Sequence, residues 1–438
     1  MTDTIVAVAT APTPGAVGIV RLSGPRARDI ADQACRRSQA ATPRFAVRAQ
    51  VCSADGQILD EGLLLTFVAP ASFTGEDVAE LQLHGNPLVL QQVVQRCVAL
   101  GARRAEPGEF SRRAFLNGKL DLAQAEAIAD LISAESAAAA RAAQNSLQGV
   151  FSRQCVAIAD ALLNLRVQVE AWLDFPEEDI DPGQCADWVA QLRDLQQQLR
   201  DLDKAAEQGQ RLTQGMSVLI VGAPNAGKST LLNALAQREV AIVNAAAGTT
   251  RDLLSEHLVV NDVPLKIVDS AGLRAHTDDP IEQEGIRRAH AAATEADQIL
   301  AIHAHDAPLP SLPPEWQPRL LSVVNKIDQS GETAGLRNGQ CFVSAKTQQG
   351  LDHLASALVG RQSHSEEGAF SARQRHRDDL REAMFHVDHS VTLLHNADTL
   401  ELAAEQLRRG QDAVGRITGE VHAEDLLGRI FAGFCIGK

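Results

Sequence analysis

Apolar and polar positions change rhythm three times along the chain. Residues 1–118 hold short apolar runs, TIVAVAT, GIVRLSG, GLLLTFVAP and VAELQLH, cut by Gly and Pro turns, with one helical stretch, PLVLQQVVQRCVAL. That punctuation predicts a small α+β domain. From Leu120 the texture becomes Ala-rich helix, and Phe151, Cys155, Ile158, Leu162, Leu165, Val169 and Trp172 recur at spacings alternating four and three. This is the period of a helix that buries one seam. The rhythm returns at Leu380, Met384, Val387, Val391 and Leu394. Each seam needs a helical partner, and the simplest arrangement lets them serve each other, with two independent helical pairs as the other arrangement. The first predicts one helical domain made of residues 119–212 and 367–438 with an insert between them. The insert, 213–366, alternates strands and helices: MSVLIVG, KSTLLNALAQ, the hairpin LSEHLVV-ND-VPLKIVD, IEQEGIRRAHAAATEA, QILAIHAH, RLLSVVNK, QCFVSA and LDHLASALVG. Such alternation predicts a mostly parallel sheet covered by helices. The fold class is therefore multidomain, α/β and α.

Composition narrows the function classes. At 438 residues the chain has room for two or three cores, and 45% hydrophobic with 22% charged residues is ordinary for a globular protein. A net charge of −15 leaves RNA contact to local basic clusters such as Arg103-Arg104, Arg112-Arg113 and Arg373/Arg375/Arg377, or to a partner. Seven cysteines without a C-x-x-C pair fit a reducing compartment, and the N-terminus carries neither a basic nor a cleavable apolar leader. No apolar run is long enough for a membrane span, so the chain reads as cytoplasmic. The final CIGK is a poor prenylation box, since Gly437 is not aliphatic and no polybasic run precedes it.

The chemistry concentrates in the insert. GAPNAGKST, residues 222–230, follows an apolar strand and opens a helix, the context of a P-loop. Its backbone N–H groups turn toward phosphate oxygens around Asn225, Ala226 and Gly227. Lys228 adds a point charge at the terminal phosphates, and Ser229, followed by Thr230, offers a magnesium ligand. IVDSAG ends a strand with Asp269, whose carboxylate reaches magnesium through water, followed by Ser270, Ala271 and Gly272, the last offering an amide to the γ-phosphate. NKID supplies Asn325, Lys326 and Asp328; Asp328 accepts from guanine's ring N–H and exocyclic amine, a pattern adenine lacks. Ser344, Ala345 and Lys346 close over the base. Four motifs in this order select GTP. Thr250 of GTT then reads as a magnesium ligand in a first switch, while Leu273 stands where Ras-like enzymes place a water-orienting glutamine. His303-Ala-His305-Asp306 resembles the start of a metallohydrolase box, but a strand end in a GTPase domain needs no metal there.

Beyond these, FTGEDVAELQLHGN, PGEFSRRAFLNGKLDLAQAEAIADLI, NSLQG, GTTRD, DSAGLR, EGIRRA, ITGE, DLLGRIF and FCIGK resemble, essentially end to end, the tRNA-modifying GTPase family called MnmE or TrmE. The resemblance implies an N-terminal folate-binding, dimer-forming domain followed by a helical domain interrupted by the GTPase domain. It implies a reaction shared with an FAD-dependent partner, MnmG (GidA), in a heterotetramer or larger complex. There an aminomethyl or carboxymethylaminomethyl group is added to carbon five of the wobble uridine of certain tRNAs, with methylene- or formyl-tetrahydrofolate as one-carbon carrier. It implies a potassium ion held by Asn225 with Asn244, Ala246 and Thr249, the whole segment Asn244, Ala245, Ala246, Ala247, Gly248, Thr249 and Thr250 lining the nucleotide. Glu282 matches the glutamate that positions the attacking water; by its position alone it is a solvated helix-start glutamate. Arg21, Glu80, Lys119 and Lys438 match folate ligands, and Cys435 matches the family's terminal cysteine, as a nucleophile or a packed thiol. Pro14-Gly15-Ala16-Val17-Gly18 replaces a GRGG-like turn, Ala223 a common arginine and Ser270 the usual threonine. A GTP-controlled ribosome-assembly factor is the alternative from another class; it predicts a basic RNA-binding module, and none is visible.

Overall fold

The computed structural model describes residues 3–174, 182–236, 255–269, 290–309, 312–360, 368–395, 397–421 and 424–437. The first stretch gives β1 (Ile5–Val8), β2 (Gly15–Ser23), α1 (Ala27–Ala34), β3 (Val47–Cys52), β4 (Ile58–Phe67), β5 (Val78–Gly85), α2 (Pro87–Ala99), β6 (Arg103–Arg104) and α3 (Glu109–Leu116). Helices follow: α4 (Leu122–Ser133), α5 (Ala137–Leu147), α6 (Val150–Asp174) and α7 (Pro182–Gln214). The insert contributes β7 (Met216–Gly222), α8 (Lys228–Ala236), β8 (Ser255–Val260), β9 (Val263–Asp269), β10 (Gln298–Ala304), β11 (Leu320–Asn325), β12 (Gly335–Arg337), β13 (Gln340–Phe342) and α9 (Leu351–Val359). The chain then forms α10 (Gln374–Leu393), α11 (Leu400–Thr418) and α12 (Glu424–Ala432).

Two compact units result, one of residues 1–129, 155–160 and 411–438, the other of 130–154 and 161–410. In the first, six strands run in the order β3-β4-β5-β2-β1-β6, antiparallel except for β1 beside β6. Alternation puts Val20, Leu22, Leu64, Leu81 and Leu83 on one face, where they pack with Ile30 of α1 and Leu90, Val93 and Val94 of α2. The opposite face carries the polar register pair Arg21 and Glu80. Asn86 caps α2, its side chain accepting from Leu88 N at 2.9 Å, with Pro87 at the first helical position. A smaller cluster joins Leu122 and Ala125 of α4 to Leu427, Phe431 and Phe434 at the chain's end.

The second unit holds a seven-stranded sheet in the order β12-β13-β11-β10-β7-β9-β8, parallel through its five central strands and antiparallel at both edges. Both faces are covered: Val218 and Ile220 enter one core, Leu219 and Val221 the other, which is why β7 reads as a continuous apolar run. Ala142 of α5 and Leu212 of α7 belong to the core of this sheet, and Ser136 Oγ donates to Asp262 O in the β8–β9 turn at 2.8 Å.

The helical seams differ from expectation in their partners. Phe151, Cys155, Ile158, Leu162, Leu165 and Val169 are buried as predicted, while Trp172 is only half-buried, and α10 packs along α7. The seam on α7 runs through Trp188, Leu192, Leu195, Leu199, Leu202 and Ala206, all buried. Ion pairs of Arg377 with Asp203 at 3.1 Å and Glu207 at 3.3 Å border this seam. From α6, Phe151 stacks on Phe370 at 4.5 Å between centroids and meets His376 at 5.2 Å.

Candidate functional site

The P-loop is built where β7 delivers the chain to α8. Asn225 and Gly227 take positive φ values of 64° and 89°, turning the loop back on itself, and Ala226 N donates to Ala223 O at 3.2 Å. Lys228 Nζ donates to Gly222 O at 2.8 Å and Ala223 O at 3.3 Å, so its ammonium is held over the loop. Ser229 and Thr230 are exposed at the start of α8.

One buried amide joins this loop to the Asn325–Asp328 and Ser344–Lys346 loops. Asn325, 1% exposed at the end of β11, donates from Nδ2 to Ala226 O at 3.0 Å. Its Oδ1 accepts from Lys326 N at 2.8 Å and Ala345 N at 3.1 Å. A Cβ on Gly227 would lie 2.4 Å from Asn325 Nδ2, so only glycine permits this approach. Lys326 adopts φ 65°, and Asp328 opens the helical turn Ile327–Ser330, exposed, with Oδ1 accepting from Ser344 Oγ at 2.7 Å. Lys346 is exposed beside them. Of the metallohydrolase-like box, the His303 ring nitrogen Nδ1 donates to Ala307 O at 2.8 Å, and His305 N donates to Asn325 O at 3.1 Å.

A second constellation lies in the other unit. Arg21 Nε donates to Glu80 Oε1 at 2.8 Å, and its guanidinium lies 5.8 Å from the centroids of both Phe73 and Phe110. Beside it opens a cavity of about 390 Å³ lined by Arg44, Phe67, Phe73, Val78, Glu80 and Lys119, among others. The cavity-forming loop is laced to the turn after α3: Asn117 Nδ2 donates to Thr74 O at 2.7 Å, and Lys119 Nζ donates to Pro70 O at 3.2 Å. Gly75, at φ 76°, leaves room for the Lys119 stem, since a Cβ there would meet Lys119 Cγ at 3.3 Å.

Beneath this loop Glu76 accepts from Ser23 Oγ at 2.7 Å and from the fully buried Arg113 at 3.0 Å. Arg113 also donates to Asp3 at 2.8 Å and Glu109 at 3.0 Å. Burial pushes the Glu109 carboxyl up, but hydrogen bonds from Arg103, the Glu106 amide and Arg113 outweigh it and hold it below the usual carboxylate range.

Two family models account for the chain. Residues 4–119 match the GTP-binding protein TrmE N-terminus and residues 122–435 the MnmE helical domain. A tRNA modification GTPase MnmE of Stutzerimonas stutzeri is 51% identical over 453 residues, covering 100% of this chain and 99% of its own. The chain belongs to the MnmE family of tRNA modification GTPases. The MnmE of Pseudomonas putida strain W619 is 49% identical, with coverage of 100% and 99%, and that of Chromobacterium violaceum 49%, with 99% and 98%. Among solved structures, the G domain of the T. maritima FeoB iron transporter is 18% identical, covers 33% of this chain and 96% of that one, and has a TM-score of 0.24.

In this MnmE chain the described residues bring Asn225 to Ser229, Asn325 to Asp328 and Ser344 to Lys346 into one loop cluster. Asp269 closes β9, the neighbour of β7, with Ile220 as its register partner. The expectations for Asn244, Ala245, Ala246, Ala247, Gly248, Thr249, Thr250, Ser270, Ala271, Gly272, Glu282 and Lys438 fall outside the described residues. Cys435 is not brought to Glu80 and Lys119 within the unit. It is exposed at a separate cavity of about 490 Å³ lined by β1, the Thr10–Pro12 loop, Leu90, Gln91 and Val94 of α2, Arg104 and Ile436. Ile436 bridges to Pro107, and Gly437, at φ 96°, lies so close to Val8 O that a side chain would collide with it. Among the described residues no helix is long and apolar enough to cross a membrane. Sequence reading missed Arg44, Phe67 and Phe73 as lining residues: Arg44 and Phe67 lie outside any motif, and Phe73 opens FTGEDVAELQLHGN without declaring which side chain it faces.

Proposed function

We propose that the chain is a potassium-dependent GTPase which, with an FAD-dependent MnmG (GidA) partner, adds an aminomethyl or carboxymethylaminomethyl group to carbon five of the wobble uridine of certain tRNAs. The observation that carries the nucleotide half is the Asn325 amide, which links the phosphate loop to both base-reading loops. Asp328, steadied by Ser344, accepts the two donors that guanine presents and adenine does not. Lys228, now on loop carbonyls, transfers its hydrogen bonds to the terminal phosphates, and the positive-φ turn at Asn225 and Gly227 points backbone amides at them. Glu282 orients water for in-line attack on the γ-phosphorus, giving GDP and phosphate, and substitutes for the glutamine absent at Leu273. Ser229, Thr250 and, through water, Asp269 would hold Mg²⁺; Asn225, Asn244, Ala246 and Thr249 would hold K⁺. The two ions, when bound, offset charge on the phosphates.

The folate half rests on the cavity beside Glu80. A carboxylate, two cations and two phenyl walls suit a flat heterocycle with an amino–imide edge and an acidic tail. Tetrahydrofolate, when bound, supplies the one-carbon unit. Arg21 fixes the orientation of the Glu80 carboxylate toward its ligand, and Lys119 lies across Gly75 at the rim. Lys438 belongs to the same reading, and Cys435, at the separate cavity beside β1, is assigned to the modification chemistry. The chain acts in the cytoplasm as a homodimer bound to its partner in a larger complex.

Nucleoside analysis tests the whole reading. Undermodified tRNA incubated with this chain, the FAD-dependent partner, GTP, a methylene-folate and glycine or ammonium acquires a modified wobble uridine, and omission of the chain or of GTP removes it. An unmodified wobble uridine in the complete mixture rejects the reading.

A further inference from the structure

Resting on the folate reading above, we propose that Arg44 and Lys119 form a two-cation clamp that binds the carboxylate tail of the folate and sets the cavity's preference for acidic-tailed ligands. Three observations single out Arg44. Its backbone has φ 63°, a left-handed conformation that a non-glycine residue rarely adopts. Strain of this kind concentrates where a side chain must be aimed. The conformation is fixed by Arg44 N donating to Thr66 O at 2.8 Å. Its guanidinium is then held 5.6 Å from the Phe67 ring centroid, with Nη2 donating to Ala71 O at 2.7 Å.

Lys119 meets the same segment. Its ammonium donates to Pro70 O, so the two cations meet carbonyls of consecutive residues at the rim of one cavity. Among the described residues neither forms an ion pair with a carboxylate, whereas the neighbouring Arg21 is neutralised by Glu80. Two exposed, unneutralised cations fixed about one rim form an anion site, and Arg44's planar fork suits a carboxylate. The cavity is thereby polar in a defined sense: Glu80, an acceptor for amino and imide donors, lines its wall, and the clamp binds the acid end.

The test is equilibrium titration of the full-length chain with 5-formyl-tetrahydrofolate and with a tetrahydropterin lacking the aminobenzoyl-glutamate tail. Arg44→Gln and Lys119→Gln each weaken binding of the full folate about tenfold, Arg44→Lys recovers only part of the loss, and none of the three changes affinity for the tail-less pterin. Arg44 is exposed, so its variants fold as the parent does. Unchanged folate affinity in Arg44→Gln overturns the clamp and leaves the folate reading standing. Equal loss for both ligands places Arg44 at the ring end and also overturns it. A parent chain that binds neither ligand rejects the folate reading and the clamp together.

Discussion

Replacing Arg113 by methionine tests whether the charge cluster under the Phe73–Asp77 loop holds up the cavity beside Glu80 proposed for folate. The guanidinium is 0% exposed and bonded to Asp3, Glu76 and Glu109. Removing one partner of a buried pair costs about 3–5 kcal/mol, because the other charge is left without compensation. Here the lower end applies. Glu109 keeps Arg103 at 2.6 Å and the Glu106 amide at 2.8 Å, and Asp3 is 44% exposed, so Glu76 alone loses its cation. About 3 kcal/mol in a unit of this size corresponds to a melting shift of about 6–12 °C. All three tryptophans, Trp172, Trp188 and Trp316, lie in the other unit, so their fluorescence reports that unit while hydrogen exchange of peptides spanning 72–85 and 103–117 reports the first. Arg113→Met should deprotect those peptides by the stated amount, with the fluorescence transition unmoved, and should weaken folate binding in step. The pH dependence follows from Glu109. Its folded pKa lies below its unfolded value, so its contribution is complete above that unfolded value and is lost as pH falls through the folded one. The share of the parent–variant difference that Arg113 contributes through Glu109 is therefore lost in acid. Protection within about 0.5 kcal/mol of the parent at neutral pH, the range of an ordinary surface change, would refute the reasoning.

Gly227→Ala places a methyl 2.4 Å from Asn325 Nδ2 at φ 89° and should abolish GTP and GDP binding, measured with a fluorescent nucleotide. Asp328→Asn exchanges an acceptor for a donor and should move preference from GTP to XTP, read from the ratio of their dissociation constants. Glu282→Ala should slow hydrolysis about 10²–10⁴-fold with GTP affinity retained; an unchanged rate returns that residue to the solvated surface. Sodium in place of potassium should cut phosphate release at least tenfold, and equal rates in the two salts remove the cation from the mechanism.

Different parts of the molecule were legible to different degrees. The apolar run of β7 followed by glycine and lysine announces its own turn, because strand, loop and helix are neighbours in sequence. The helices α1 and α3 are eight residues each, too short for a period to emerge from ARDIADQA or EFSRRAFL. The four-three seam on α10 was visible, yet its partner was not. Helix α7 buries its own four-three seam among glutamines, arginines and aspartates, and Arg377 pairs with two of those acids. At the candidate sites, Asp328 declares its role by chemistry, whereas the reach of Asn325 to residue 226 is a tertiary fact. So is the meeting of Arg44 with Phe67 and Ala71, which needs β3, β4 and the loop after β4 assembled.

The β8–β9 hairpin joins the first-switch stretch to the DSAG motif: the chain carrying Gly248–Thr250 enters β8, and β9 ends at Asp269. Its far turn is fastened to Ser136, and its strands share a core with Ala142 and Leu212. Helices α5 and α7 thus anchor a hairpin whose two ends run on in sequence to both motifs. Linkage makes such an anchorage reciprocal. Whatever free energy the nucleotide spends on loading the hairpin, a partner that stiffens these helices returns as the same factor in nucleotide affinity. The hairpin thereby gives α5 and α7 a covalent route to both nucleotide motifs.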